Sequence, residues 1–333
     1  MILSLFASLG TNMWWEACTK LQFEDEAWKK LVDAAEENGF NQIVLDLGEG
    51  VQYKSHPELS VEGAWSAERV KEEVLALRDR GIELIPKLNF SATHHLWLKD
   101  YRRMMGLPKY YEVCRDLIRE VYEMFDKPRF FHLAMDEEGE KLFFDMVDIV
   151  AYRRGEFFLN DLQFLFDCVK ELGAKPWIWL DPYWDYPEEF KQRFPKDSVM
   201  LSPWYYRGLA RENFTPLTLR QEYIDQFTNG KYKPYNLQYV EDDPFHESKF
   251  RERFLNTAVP AAQHGYDIVP CASIIFGNTI NPDEIVKYFT ENAPKEQLTG
   301  FMVAPWKYTL MENIDEITEN IVLLRKAIDK YCR

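Results

Sequence analysis

Eight short apolar runs, rich in β-branched and aromatic residues, recur along the chain with longer charged, amphipathic segments between them, and no other feature restricts the fold as much. The runs are Ile2–Phe6, Gln42–Leu47, Ile82–Leu88, Phe130–Met135, Pro176–Leu180, Val199–Leu201, Ile268–Cys271 and Gly300–Ala304. Near-continuous apolarity marks strands buried on both faces, the condition of a parallel sheet, and parallel strands need long crossovers that helices supply. The intervening segments have helical character, for example Glu24–Asn38 ending at Gly39, Ala67–Arg80 ending at Gly81 with Ser66 as its N-cap, and Ile314–Asp329 at the end of the chain. Eight β-α units in 333 residues, 46% of them hydrophobic, predict one α/β domain over 1–333, a (β/α)8 barrel. The long interval from Tyr206 to Tyr266 holds two helical stretches, Leu217–Phe227 and Glu247–His264, around an aromatic, charged segment, Tyr232–Pro244. It reads as an elaborated loop after the sixth strand, because it contains no core strands of its own.

A barrel of this kind builds its active site at the C-terminal ends of its strands, which turns the strand list into a list of candidate residues. These are Asp46 and Glu49; Asn89, His94 and His95; Asp136, Glu137 and Glu138; Asp181 with Trp184; Trp204 and Tyr205; Ser273; and Trp306 with Tyr308. The sharpest signal is Phe130-Phe131-His132-Leu133-Ala134-Met135-Asp136-Glu137-Glu138, an apolar strand ending in three carboxylates. Acids at the exit of a buried strand are costly to desolvate unless something uses them. Glu138 reads as a first-turn helix charge, and His132 as a buried, hydrogen-bonded group that orients the acids. Asp46 and Glu49 either bind hydroxyls or cap a loop, and Trp179 and Trp306 either pack in the core or wall a pocket. Carboxylates among tryptophans and tyrosines suit a sugar, which offers an apolar face for stacking and a rim of hydroxyls.

Composition narrows the alternatives. A net charge of -15 leaves no basic footprint for nucleic acid or an anionic membrane. Met1 to Gly10 lacks a basic leader region and is too short to span a bilayer, so a cytoplasmic protein is expected, with a secreted protein trimmed of its leader as the alternative. Five scattered cysteines, Cys18, Cys114, Cys168, Cys271 and Cys332, without C-x-x-C spacing fit reduced thiols better than a disulfide framework or a zinc site. Neither a metal nor a cofactor is expected, a carbohydrate is the expected partner, and the oligomeric state stays open. Two other classes remain: a glycan-binding barrel without activity, and a metal-dependent sugar isomerase or lyase, which the scattered histidines disfavour.

Within this frame the chain resembles family 20 glycoside hydrolases, the β-N-acetylhexosaminidases, over most of residues 40–310. His56-Pro57-Glu58-Leu59-Ser60-Val61-Glu62-Gly63-Ala64-Trp65-Ser66 is similar to the family's P-E-L-x-x-x-G-x-Y/W-S stretch, and Arg80-Gly81-Ile82-Glu83-Leu84-Ile85-Pro86 to its R-G-I-E-V-I-P strand. His132-Leu133-Ala134-Met135-Asp136-Glu137 resembles its H-x-G-G-D-E motif; Trp177-Ile178-Trp179-Leu180-Asp181 and Leu201-Ser202-Pro203-Trp204-Tyr205 resemble its W-x-E/D and S-x-P-W-Y segments. The resemblance implies hydrolysis assisted by the substrate's own 2-acetamido carbonyl, an exception to the paired-carboxylate scheme. It gives Glu137 the general acid/base role, Asp136 the acetamide nitrogen, and Tyr205 the acetamide oxygen, with Tyr206 the alternative should Tyr205 pack away from the site. Trp179, Trp204 and Trp306 would wall the pocket, and Asp46, Glu49, Asn89, His94, Asp181 and Tyr308 would complete the sugar site. The chain departs from the family in having no basic residue in Ser8–Glu16 and in reading Pro86-Lys87-Leu88-Asn89-Phe90-Ser91-Ala92-Thr93-His94 in place of P-E-I-D-M-P-G-H. Asp46-Leu47-Gly48-Glu49 stands for H-x-x-D, and Trp306-Lys307-Tyr308 for W-x-E.

Overall fold

The computed structural model describes residues 1–13, 17–138, 153–209, 244–275 and 277–332, with the backbone alone for 244–249. All eight predicted runs are strands: β1 (Ile2–Ser8), β2 (Gln42–Asp46), β3 (Glu83–Lys87), β4 (Phe130–Ala134), β5 (Lys175–Trp179), β6 (Met200–Ser202), β7 (Asp267–Ile268) with β8 (Cys271–Ala272), and β9 (Gly300–Val303). They form one parallel sheet in the order β7-β6-β5-β4-β3-β2-β1-β9-β8. The seventh run is divided because Pro270 has no amide proton to give the ladder. Its two halves still occupy one place in the barrel. The amide of Val269 donates to Leu201 O and that of Cys271 to Pro203 O on the β6 side, while Met302 donates to Pro270 O and Thr299 to Ile268 O on the β9 side. One segment therefore bonds both neighbours, and the sheet closes into an eight-position barrel.

The helices are α1 (Asp25–Glu37), α2 (Ala67–Asp79), α3 (Pro108–Met124), α4 (Gly155–Glu171), α5 (Asp181–Asp185), α6 (Pro187–Arg193), α7 (Pro244–Gln263), α8 (Asn281–Asn292) and α9 (Ile314–Tyr331). Local chemistry sets their ends. Ser66 accepts the Arg69 amide as N-cap of α2. Gly39 and Gly81 take left-handed φ of 71° and 75°, so that Gly39 and Phe40 donate to Glu36 O and Ala35 O, and Gly81 and Ile82 to Arg78 O and Leu77 O. This Schellman closure satisfies the last carbonyls and hands the chain to the next strand within two residues. The predicted helix Glu247–His264 corresponds to α7, which ends one residue earlier, whereas Leu217–Phe227 and most of Tyr232–Pro244 fall outside the described residues.

Alternation along the strands separates two packed layers. Phe6, Val44, Ile85, Trp177, Trp179, Met200 and Met302 fill the lumen, while Leu5, Leu45, Leu84, Leu133, Ile178, Leu201 and Val303 pack against the helices. The lumen is a side-chain core, so a site belongs at its upper rim.

Candidate active site

The rim after β4 is built against the backbone's preferences. Ala134, Met135 and Glu137 have left-handed φ of 59°, 63° and 54°, and the register with β5 slips between His132 and Ala134. Left-handed non-glycine residues cost roughly 1–2 kcal/mol each and persist only where the surroundings fix them. The fixing contacts are present. His132 Nδ1 accepts the Ala134 amide at 3.1 Å, Ser91 Oγ donates to Asp136 O, and the Glu137 amide donates to Asp181 Oδ1 at 3.0 Å. His132 is thus a buried support of the bulge, and burial holds its imidazole well below its ordinary pKa.

The bulge sets Asp136 and Glu137 around one histidine from the loop after β3. His94 Nε2 lies 3.3 Å from Glu137 Oε2, and its Nδ1 lies 3.7 Å from Asp136 Oδ1 and 2.7 Å from Thr93 Oγ1. Asn89 donates to Asp136 Oδ1 at 3.1 Å. Burial disfavours the His94 imidazolium, but the Asp136 charge and the Glu137 hydrogen bond outweigh it, so its pKa stands above the ordinary histidine value. The Glu137 side chain is 29% exposed and that of Asp136 10%, which makes Glu137 the member of the pair that a ligand reaches from solvent. One ligand atom from each of His94, Asp136 and Glu137 falls within 4.8 Å of the others, a spacing that also suits a divalent cation.

Asp181, at the end of β5, completes the acidic side. Its Oδ2 accepts the Trp204 indole N–H at 2.8 Å, and burial, reinforced by the Asp136 charge, pushes its pKa well above the carboxylate range. Trp204 stacks on Tyr206 with centroids 5.3 Å apart; Trp306 lies 6.3 Å from Tyr206, 5.7 Å from Trp179 and 4.7 Å from Phe6. These rings form a continuous aromatic wall beside the acids. Trp179 is buried in the lumen as part of its floor, whereas Trp204 and Trp306 keep partial exposure.

Four expectations need correction. Tyr205 is not at the site: it packs outside the barrel against Phe254 and Phe250, and Tyr206 occupies the lumen side, its hydroxyl 3.7 Å from Cys271 Sγ. Glu138 is no solvated helix charge, because both of its oxygens are held by the fully buried Arg153. For Glu49 only the hydroxyl-binding alternative is corrected: it takes the loop-capping one, accepting the amides of Thr11 at 2.7 Å and Asn12 at 3.1 Å and so tying down the loop after β1. Asp46 is consumed by Lys87, its neighbour in register on β3, in a buried ion pair inside the lumen. Tyr308 sits on the rim beside Ser8, 39% exposed. Of the residues that pattern reading left out, Lys87 carried a usable signal, a cation at an inward position of an otherwise apolar strand. Arg153 carried none.

No family model matches the chain, and no curated protein matches it. Solved structures do. The β-N-acetylhexosaminidase from Bacteroides fragilis aligns with a TM-score of 0.61 and 15% identity over 98% of this chain and 65% of its own. The exo-β-N-acetylglucosaminidase from Vibrio harveyi, in complex with N-acetylglucosamine, gives 0.57 and 13% over 99% of this chain and 57% of its own. Dispersin B gives 0.60 and 12% over 98% of both chains. The fold is therefore the (β/α)8 barrel of the hexosaminidase structures, with an acid pair at the end of the fourth strand. The chain spans less than two thirds of the Bacteroides and Vibrio proteins.

Proposed function

We propose that this chain is a diverged family 20 glycoside hydrolase, a retaining, exo-acting enzyme of the β-N-acetylhexosaminidase type. The observation that carries the reading is the strained turn that presents Asp136 and Glu137 to one histidine beside the Trp204–Tyr206–Trp306 wall. Glu137, the exposed member, protonates the departing glycosidic oxygen while the substrate's acetamide oxygen attacks the anomeric carbon. The C–O bond to the leaving group breaks and a cyclic oxazolinium forms. Asp136, fixed by Asn89, accepts the acetamide N–H and balances the positive ring, and we assign the donor to the acetamide oxygen to Tyr206, the tyrosine on the lumen side. Glu137 then takes a proton from water as that water opens the oxazolinium at the anomeric carbon. His94 holds Glu137 in position between the two steps.

The test is a panel of aryl glycosides. Turnover of aryl β-N-acetylglucosaminides or β-N-acetylgalactosaminides, with little on the unacetylated sugars, supports the reading. Turnover of aryl glycosides lacking the acetamide, with none on the acetamido sugars, overturns substrate assistance and points to Asp181 as the second carboxylate. Binding of the sugar without any hydrolysis supports the non-catalytic glycan-binding barrel.

A second reading has one observation in its favour. The His94, Asp136 and Glu137 ligand atoms converge as a divalent cation would need, and Thr93 Oγ1 on His94 Nδ1 leaves Nε2 to face Glu137. In this reading the barrel is a metal-dependent sugar isomerase or lyase. Metal analysis of the purified protein, with activity before and after chelation, separates it from metal-independent hydrolysis.

A further inference from the structure

The turn that carries the acids is anchored at each step, and its last anchor lies outside the catalytic set. Glu138 ends the turn with both carboxylate oxygens occupied. Oε1 accepts Arg153 Nε at 2.8 Å and the Arg153 amide at 3.1 Å, and Oε2 accepts Arg153 Nη2 at 3.0 Å and the Ala92 amide at 2.7 Å. The same guanidinium donates to Phe90 O at 2.7 Å and to Asp161 of α4 at 3.1 Å. Asp161 in turn accepts the Tyr111 hydroxyl from α3. One fully buried cation therefore joins three elements: the turn after β4, the loop after β3 and the outer helix α4.

The two loops it joins are the two halves of the site. The loop after β3 carries Asn89 and His94, which contact Asp136 and Glu137, and Phe90 and Ala92 lie between them in sequence. The turn after β4 carries the acids themselves, with left-handed backbone at Ala134, Met135 and Glu137. We infer that Arg153 is a positioning residue for Glu137: through Glu138 it fixes the acid's turn against the His94 loop and so sets the distance between Glu137 and His94. The inference rests on the acid role of Glu137. A role in packing alone would predict something different, a uniform loss of stability with the surviving folded molecules fully active.

Removing the arginine alone leaves Glu138 buried and unpaired, so the informative variant is the double replacement Glu138→Leu/Arg153→Met, which removes both charges together. Amide hydrogen exchange on the full chain reads the turn directly. In the double variant, exchange at Ala134 and Glu137 rises at least about tenfold while β1 and β2 keep wild-type protection. With an aryl acetamido substrate, kcat falls about 10–100-fold with KM within about twofold, because a displaced acid loses rate before binding. Arg153→Lys, which keeps the charge, recovers part of the rate. Equal acceleration of exchange across the barrel, or unchanged kcat in the folded fraction, overturns the inference. A wild type with no glycosidase activity removes the acid role of Glu137, and the exchange pattern then decides by itself whether Arg153 holds the 134–138 turn.

Discussion

The two sides of the barrel mouth carry the same residue types and end up with different chemistry. On the β2 side Asp46 and Glu49 leave the strand end much as Asp136 and Glu137 do on the β4 side. Asp46, however, meets Lys87, and Glu49 meets the amides of Thr11 and Asn12, so both acids are satisfied by the chain itself. On the β4 side Asp136 has one asparagine donor and shares His94 with Glu137, whose side chain remains 29% exposed. A strand-end position decides which side chains reach the mouth. The donors that face them decide which are left for a ligand, because a buried carboxylate is free for chemistry only where its own protein does not neutralise it.

The largest expected effect tests that contrast directly. Glu137→Gln lowers turnover of substrates with poor leaving groups by roughly two to four orders of magnitude, the usual worth of a positioned general acid, and activated leaving groups suffer far less. Glu49→Gln instead costs about 1–3 kcal/mol of stability through its disturbed amide contacts, with kcat nearly unchanged. Parallel steady-state kinetics and urea unfolding of the two variants measure both quantities. Equal losses of turnover would erase the distinction between the two sides.

The Lys87–Asp46 pair sharpens the comparison from the other direction. Lys87→Met leaves a carboxylate uncompensated inside the lumen and lowers the free energy of unfolding by about 3–5 kcal/mol, whereas Asp46→Leu/Lys87→Met recovers most of it. Chemical denaturation of the wild type and both variants provides the check. A double variant as unstable as the single one would mean that the pair serves the site and not the core.

Tyr206→Phe ranks next, with an expected loss of about a hundredfold in kcat on acetamido substrates, the scale of one removed donor to a developing charge. Tyr205→Phe leaves kcat within about twofold, since its hydroxyl lies among outer-layer aromatics and carries no role in the mechanism. The reverse pattern would return the donor role to Tyr205.

That tyrosine also shows what was legible in the sequence. The eight strands, the barrel and the acid pair follow from apolar runs and from the abrupt change to carboxylates after Met135, because both depend on local pattern. Motif resemblance singled out Tyr205, yet simple alternation from the inward Met200 runs through Ser202 and Trp204 to Tyr206, while Leu201 and Tyr205 point outward. The period of the strand was the better guide. Lys87 was visible as a charge inside an apolar run, but its partner became plain only with the register that sets it beside Asp46. Arg153 lies beyond any strand, and its meaning comes from three loops and helices that only the closed barrel brings together. Glu138 is opaque in the sequence for the same reason: an acid after a strand carries no mark of a buried guanidinium from 15 residues further on.

The smallest effect is a pH dependence confined to the β4 side. The folded-state pKa of His94 stands above its unfolded value: burial pulls it down, Lys87 adds to that, and Asp136 and Glu137 more than compensate. A raised histidine contributes stability that is fully present below the unfolded pKa near 6.5 and is lost as pH rises through the folded value, by about 1.4 kcal/mol for each factor of ten by which the folded chain binds the proton more tightly. Unfolding free energies of wild type and His94→Gln, measured from pH 5 to 9, should therefore differ most at the acid end and converge toward the alkaline end. His95 and His132 act in the opposite sense, since burial depresses both and their neutral forms are the stable ones. The His132 contribution is common to the two proteins and cancels in the difference, whereas that of His95 becomes smaller in His94→Gln, because the His94 charge is one of the causes of its depression. Glu49→Gln should leave this slope close to that of the wild type, because Glu49 is not among the charges that set the His94 pKa, which are Asp136, Glu137 and Lys87. A difference that grows with pH would mean that burial outweighs the two carboxylates at His94, and the upward direction of its pKa would fall.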